Sequence, residues 1–148
     1  MQIRQILKEA VVGSELEISA WVTTKRSQKT FSFVELNDGS CLKGLQVIID
    51  NNVPGYDEKI GKANTGASIS VTGLIKESQG KGQRIELHAM EFTIIGSAPE
   101  EYPLQKKRQS PEFLRGIAHL RARTRVMGMS TRVRSACAQA VHNFFREN

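Results

Sequence analysis

The sequence predicts a mostly β domain, a small barrel of five strands, with helical segments at both ends. Five stretches between residues 15 and 96 alternate apolar and polar side chains with a period of two, the pattern of half-buried strands. Turn-forming residues punctuate them at Gly13-Ser14, Asn37 to Ser40, Asn51 to Gly55 and Gly80 to Gly82. A chain of 148 residues, 39% hydrophobic and 24% charged, has room for one such domain plus an appendage and can build a core without crosslinks.

In order, residues 2 to 11 place Ile3, Ile6, Leu7 and Ala10 at helical spacing, a short helix packed over the domain and closed by Gly13-Ser14. Glu15 to Arg26 alternates, with Leu16, Ile18, Ala20 and Val22 on one face. It ends in the polar run Thr23 to Thr30, which holds Lys25, Arg26 and Lys29 and no acid. Phe31 to Leu36 and Leu42 to Ile49 flank the turn at Asn37 to Ser40 as a β-hairpin. Val34, Leu36, Leu45, Val47 and Ile49 form its core face, and Phe31, Phe33, Glu35 and Gln46 are left on the other. Burial alone explains two phenylalanines beside a carboxylate and an amide poorly; a platform for a flat ligand explains them better.

Tyr56 to Asn64 suits one short helix, with Ile60 and Ala63 inward. Ala67 to Glu77 is the fourth strand, interrupted by Gly73 where a bend or bulge fits. A flexible loop, Ser78 to Gln83, leads to Arg84 to Gly96, where Ile85, Leu87 and Ala89 share one side before the pattern slips to Phe92 and Ile94, a second bulge. The order strand, strand, strand, helix, strand, strand is that of an OB-fold barrel, which binds oligonucleotides across strands two and three. The platform falls on that face.

Beyond Gly96 the composition changes to a linker with Pro99, Pro103 and a basic end, Lys106-Lys107-Arg108, which puts a domain boundary near residues 98 to 105. Ser110-Pro111-Glu112 starts a short helix that Gly116 ends, with a capping hydroxyl, proline in the first turn and an acid at the positive end of the dipole. Residues 124 to 148 form an amphipathic helix with the apolar stripe Val126, Met129, Val133, Ala136, Ala140 and Phe144. Nothing follows for it to pack against, as in a truncated chain.

Composition excludes several classes. Cys41 and Cys137 lie far apart and make no CxxC pair, so neither a metal site nor a disulfide framework is expected, and a reducing cytosol is the natural compartment. No stretch approaches the ~20 apolar residues of a membrane span, so a soluble, cytoplasmic protein is expected. His88, His119 and His142 share no ligand-like spacing and read as surface or packing residues. Gly80-Lys81-Gly82 is too short for a phosphate loop, and Met127, Met129 and Phe144-Phe145 read as core or interface. The net charge of +6 sits entirely in the last third: residues 1 to 98 hold 11 basic and 11 acidic residues, residues 99 to 148 hold 10 and 4. Any nucleic-acid recognition by the first domain must therefore be local.

Ile18 to Asp50, with Ala20-Trp21-Val22, Phe31 to Ser40 and Leu45 to Asp50 in order, resembles the anticodon-binding OB domain of the class IIb aminoacyl-tRNA synthetases that charge aspartate, asparagine and lysine. Tyr102 to Ser110 and Glu112 to Thr124 are similar to the linker of the bacterial asparaginyl members. The resemblance implies that Phe33 stacks on the central anticodon base, a uridine, and that Gln46 and Arg26 contact that base. Phe31, Lys25 and Lys29 are further RNA-binding candidates, for neighbouring bases or phosphates. It also implies three regions: an anticodon-binding domain (1–98), a hinge (99–123), and the first helix (124–148) of a truncated catalytic domain. That helix looks like the start of motif 1, which places Val133, Ala136, Ala140 and Phe144 at the family's dimer interface. Motifs 2 and 3, with the arginines that hold ATP, are absent, so no residue here is assigned to catalysis and none to a metal. ATP, Mg2+ and asparagine belong to the complete homodimeric enzyme, which would join asparagine to tRNA(Asn). The alternatives are a freestanding OB-fold tRNA-binding module, the aspartyl or lysyl relative, and a protein-binding OB domain.

Overall fold

The computed structural model describes residues 1–80 and 82–148. Five strands, β1 (Glu15–Ser27), β2 (Phe31–Asn37), β3 (Leu45–Asp50), β4 (Ser68–Glu77) and β5 (Ile85–Gly96), close into a barrel in the order β1-β2-β3-β5-β4. Neighbours are antiparallel except β3 and β5, which pair in parallel at Val47 with Leu87 and Ile48 with His88. That pairing requires a crossover between β3 and the β4–β5 hairpin, and the segment containing α2 (Tyr56–Ile60) supplies it. The expected mostly β barrel with a short N-terminal helix, α1 (Ile3–Glu9), is the fold.

The alternating positions do close the core. Val34, Leu36, Leu45, Val47 and Ile49 of the hairpin are fully buried, as are Ile69, Val71 and Ile75 of β4. Ile3 and Ile6 of α1 are buried in the same cluster. The loop after β2 holds that helix: Asp38 Oδ2 accepts from the Ile3 amide at 2.9 Å, and Ser40 Oγ accepts from the Arg4 amide at 3.0 Å. Burial would raise the Asp38 carboxyl, but hydrogen bonds from the Ser40 hydroxyl and the Ile3 and Ser40 amides outweigh it and hold the group below its ordinary value. Buried Ser32 is satisfied by Ser27 Oγ at 2.9 Å and the Tyr56 hydroxyl at 2.7 Å.

Three boundaries differ from the periodicity. β1 runs one residue past the expected Arg26, because Ser27 pairs with Ser32 of β2. β3 starts at Leu45 instead of Leu42, which is 44% exposed in the loop. There the Asn37 side-chain amide donates to the Cys41 and Lys43 carbonyls and holds residues 41–43 in the loop. The crossover helix is a single turn, although Ala63 beyond it is buried as expected.

Both expected irregularities in β4 and β5 are present as one register shift. Thr72 faces Glu91 and Gly73 faces Ala89, so Met90 is the extra residue. A Cβ on Gly73 would collide with the His88 carbonyl oxygen, which explains glycine at this close approach. Lys81, in the loop expected at Ser78 to Gln83, lies outside the described residues.

The chain divides into two compact units, Met1–Lys106 and Lys107–Asn148. In the second, α3 (Pro111–Gly116) starts as expected, with Ser110 Oγ accepting from the Phe113 amide at 3.2 Å. A 3-10 turn (Arg121–Arg123) precedes α4 (Arg125–Glu147), and no residue of α4 is buried. Among the described residues, no helix is long and apolar enough to cross a membrane.

Candidate nucleic-acid interface

Strict alternation from Ile18, Ala20 and Val22 would carry Thr24 and Arg26 into the core. A bulge in β1 prevents this: Val22 faces Leu36, but Thr24 faces Glu35 and Arg26 faces Phe33, so Thr23 is the extra residue. Residues directly opposite in an antiparallel pair share a face. The bulge therefore moves Arg26 to the outer face with Phe33, and Thr23 Oγ1 donates to the Glu35 carbonyl at 3.1 Å beside it.

On that face the Arg26 guanidinium carbon lies 5.2 Å from the Phe33 ring centroid, a cation–π contact. Phe31 meets Phe33 edge-on, with centroids 4.9 Å apart and planes at 89°. Gln46 stands on β3 opposite Glu35. A cleft of about 280 Å³ opens over these side chains, lined by Arg26, Phe33, Glu35 and Gln46 with Gln83 and Lys106. Gly44 lines it too, directly beside the exposed Glu35 side chain.

The structure adds a residue that alternation hides. Glu86, on β5, is only 7% exposed. Its Oε2 accepts from Ser78 Oγ at 3.0 Å and from the side-chain amides of Gln46 and Gln83, each at 3.4 Å, while Oε1 pairs with His88 Nε2 at 3.1 Å. In sequence Glu86 and His88 read as the solvent side of β5. The available signal was their i, i+2 spacing, which puts an acid and an imidazole on one face.

Lys25 does not join this face. It lies opposite Val34, and its ammonium donates to the Ile60 carbonyl at 2.8 Å and to Asn64 Oδ1 at 2.9 Å. Burial lowers its pKa below the usual lysine range. These two bonds tie the end of α2 to the barrel. Lys29 is exposed in the turn between β1 and β2. Val133, Ala136, Ala140 and Phe144 lie on α4, in the other unit, and are exposed.

The lining of the cleft combines an aromatic ring, a guanidinium, an ammonium, one carboxylate and two side-chain amides, groups that can stack on and hydrogen-bond to a heterocycle. Among the described residues, no group of three or more His, Cys, Asp or Glu could hold a metal ion.

The chain is 56% identical to an asparagine–tRNA ligase of Picosynechococcus over 99% of its length, and 49% identical to one of Oleidesulfovibrio alaskensis over a similar span. It covers 32% of each of those proteins, so it spans about a third of the length of the curated relatives it matches. Its fold is similar to that of asparaginyl-tRNA synthetase from Pyrococcus horikoshii complexed with asparaginyl-adenylate. That match has a TM-score of 0.83 and 22% identity over 99% of this chain and 34% of that one. Residues 16–95 match the family described as the OB-fold nucleic acid binding domain, and the chain belongs to that family.

Proposed function

We propose that this chain is the anticodon-recognising part of an asparagine–tRNA ligase and that its barrel reads the central anticodon base. The observation that carries the reading is the Arg26 guanidinium over the Phe33 ring, with Gln46 lining the same cleft across strands two and three. Phe33 supplies a stacking surface that accepts any base, contributing about 1 to 3 kcal/mol. Selection must then come from polar edges. Uracil presents an imino N–H between two carbonyl oxygens, and a guanidinium donor with an amide acceptor complements that pattern. Cytosine presents an acceptor and an amino donor at the same places and leaves both protein groups mispaired. Phe31, edge-on to Phe33, and Lys29, in the neighbouring turn, are proposed to meet flanking nucleotides.

The rest of the activity lies in the complete enzyme. Joining asparagine to tRNA(Asn), the use of ATP and Mg2+, cytoplasmic location and a homodimer with Val133, Ala136, Ala140 and Phe144 at its interface are proposals supported by identity to the ligases.

The reading is tested by titrating the chain with anticodon stem-loops that differ only at the central base, at two salt concentrations. Weak, salt-sensitive binding with preference for uridine is expected. Equal affinity for all four bases would sink it.

A further inference from the structure

We propose that the linker forms a wall of the RNA site: Tyr102, seated on Gly66, carries Lys106 to the cleft, where its ammonium meets a backbone phosphate of the nucleotide whose base stacks on Phe33. This contact rests on the reading above that the cleft takes an RNA base, and it comes from outside the strands.

The barrel needs charge from elsewhere. Residues 1 to 98 carry equal numbers of acidic and basic residues, so the domain as a whole does not attract a polyanion. Two of its cations near the platform are already engaged: Lys25 is bonded to the end of α2, and Arg26 lies over the Phe33 ring. Lys106, in the linker beyond β5, lines the cleft with Arg26, Phe33 and Gln46. It is exposed, and among the described residues it makes no ion pair. A base stacked on Phe33 leaves its ribose and phosphates toward the rim. An ammonium on a flexible stem suits a phosphate there, as a point charge that reads no sequence.

The course of the linker is fixed at several points. The Tyr102 amide donates to the Pro99 carbonyl at 3.1 Å, and the Gln105 side-chain amide donates to the Tyr102 and Glu100 carbonyls at 2.9 and 3.3 Å. Tyr102 lies directly on Gly66, where a Cβ would fall 2.6 Å from the ring. Gly66 also has a φ of +93°, so both its backbone and the ring above it favour glycine. Its amide donates to the Val22 carbonyl at 2.8 Å, immediately before the bulge at Thr23 that brings Arg26 to the cleft. Four residues on from Tyr102, a span of at most about 14 Å, the chain reaches Lys106, so the seat limits where the ammonium can go.

Stem-loops with each of the four bases at the central position are titrated at several salt concentrations against the unsubstituted chain, Lys106→Gln and Tyr102→Ala. Lys8→Gln, which removes the same charge from α1, is the control. In Lys106→Gln, affinity for the uridine stem-loop at low salt is expected to fall about 3- to 10-fold. The slope of log affinity against log salt should drop by about 0.7, the share of one phosphate on a single strand. Base preference should be unchanged. Tyr102→Ala is expected to lose the same slope, and Lys106→Gln to cost nothing further in its background. Lys8→Gln should keep the slope. An unchanged slope in Lys106→Gln, an equal loss in Lys8→Gln, or an altered base preference would overturn the phosphate contact. A full slope in Tyr102→Ala would overturn the seat. Because that variant could disturb the barrel, the unsubstituted chain is also examined by NMR. Cross-peaks between the Tyr102 ring and the Gly66 α protons support the seat, and their absence from an assigned spectrum counts against it. Equal affinity for all four bases, with the slope still lowered in Lys106→Gln, refutes the anticodon reading alone; no binding at all refutes both.

Discussion

Two parts of this chain carry apolar stripes of similar regularity, and they end differently. In the barrel the striped residues disappear from solvent: Val34, Leu36, Val47 and Ile49 are fully buried. On α4 the stripe stays outside, with Val126 70%, Val133 64% and Phe144 60% exposed. Periodicity specifies which side chains share a face, and says nothing about what covers it. Five strands that close on themselves cover one another, whereas a single helix cannot. The outer face of β2 and β3 is a third case, aromatic and only half-buried while the opposite face of the same strands is sealed. There exposure is consistent with a ligand.

The largest expected effect separates the sealed face from the open ones. Leu36→Ala should destabilise the barrel by about 2 to 5 kcal/mol, because the side chain is wholly enclosed and the cavity cannot collapse onto a closed sheet. Urea unfolding of the two proteins measures it. Phe33→Ala, three positions away on the other face, should lower affinity for a uridine stem-loop about 10-fold, as loss of one stacked base implies. Its cost in unfolding free energy should stay below about 1 kcal/mol, the scale of its aromatic and cation–π contacts. A Phe33 variant as unstable as the Leu36 one would show that the platform is core.

The fold was legible because its core follows the alternation almost without exception, and the register shift between Thr72 and Gly73 announced itself through the glycine and through the slip to Phe92 and Ile94. The site was legible only in part. Phe31, Phe33, Glu35 and Gln46 follow the hairpin's period. Arg26 does not, since the count from Val22 assigns it to the core and only the bulge at Thr23 brings it to Phe33. No glycine or proline marks that bulge, and the resemblance alone pointed to Arg26. Lys25 looked equivalent to its neighbour in a run of cations. The same bulge separates the two, sending one guanidinium to the cleft and one ammonium to the end of α2. Glu86 was missed because a charged residue on the polar side of a strand is ordinarily solvated, and its burial arises from side chains on β3 and the loop after β4.

A smaller effect is expected where the barrel holds α1. Asp38→Asn should cost about 1 kcal/mol, the scale of a lost helix-capping acceptor. The dependence on pH gives the signature. The folded state holds the Asp38 carboxyl below its unfolded value near 3.8, so its contribution is present above that pH and is lost as pH falls through the lower folded value. Stability curves of Asp38→Asn and the unsubstituted chain should therefore converge in acid. Parallel curves down to pH 2 would show that the charge of Asp38 does not hold the helix.

The smallest effect belongs to α4. Valine and serine have similar helix propensities, so Val133→Ser changes burial with little change in the backbone's preference. At 64% exposure the substitution should alter the unfolding free energy of this chain by less than about 0.5 kcal/mol. In the full-length ligase the outcome should differ if this stripe lies at the proposed subunit interface. Covering a valine contributes about 1.5 to 3 kcal/mol, so the same change there should weaken the dimer by an amount that sedimentation equilibrium resolves. A null result in the short chain together with a large one in the full-length ligase would show that the stripe is covered in the dimer. Equal, small effects in both would place the interface elsewhere and leave α4 without a partner on this face.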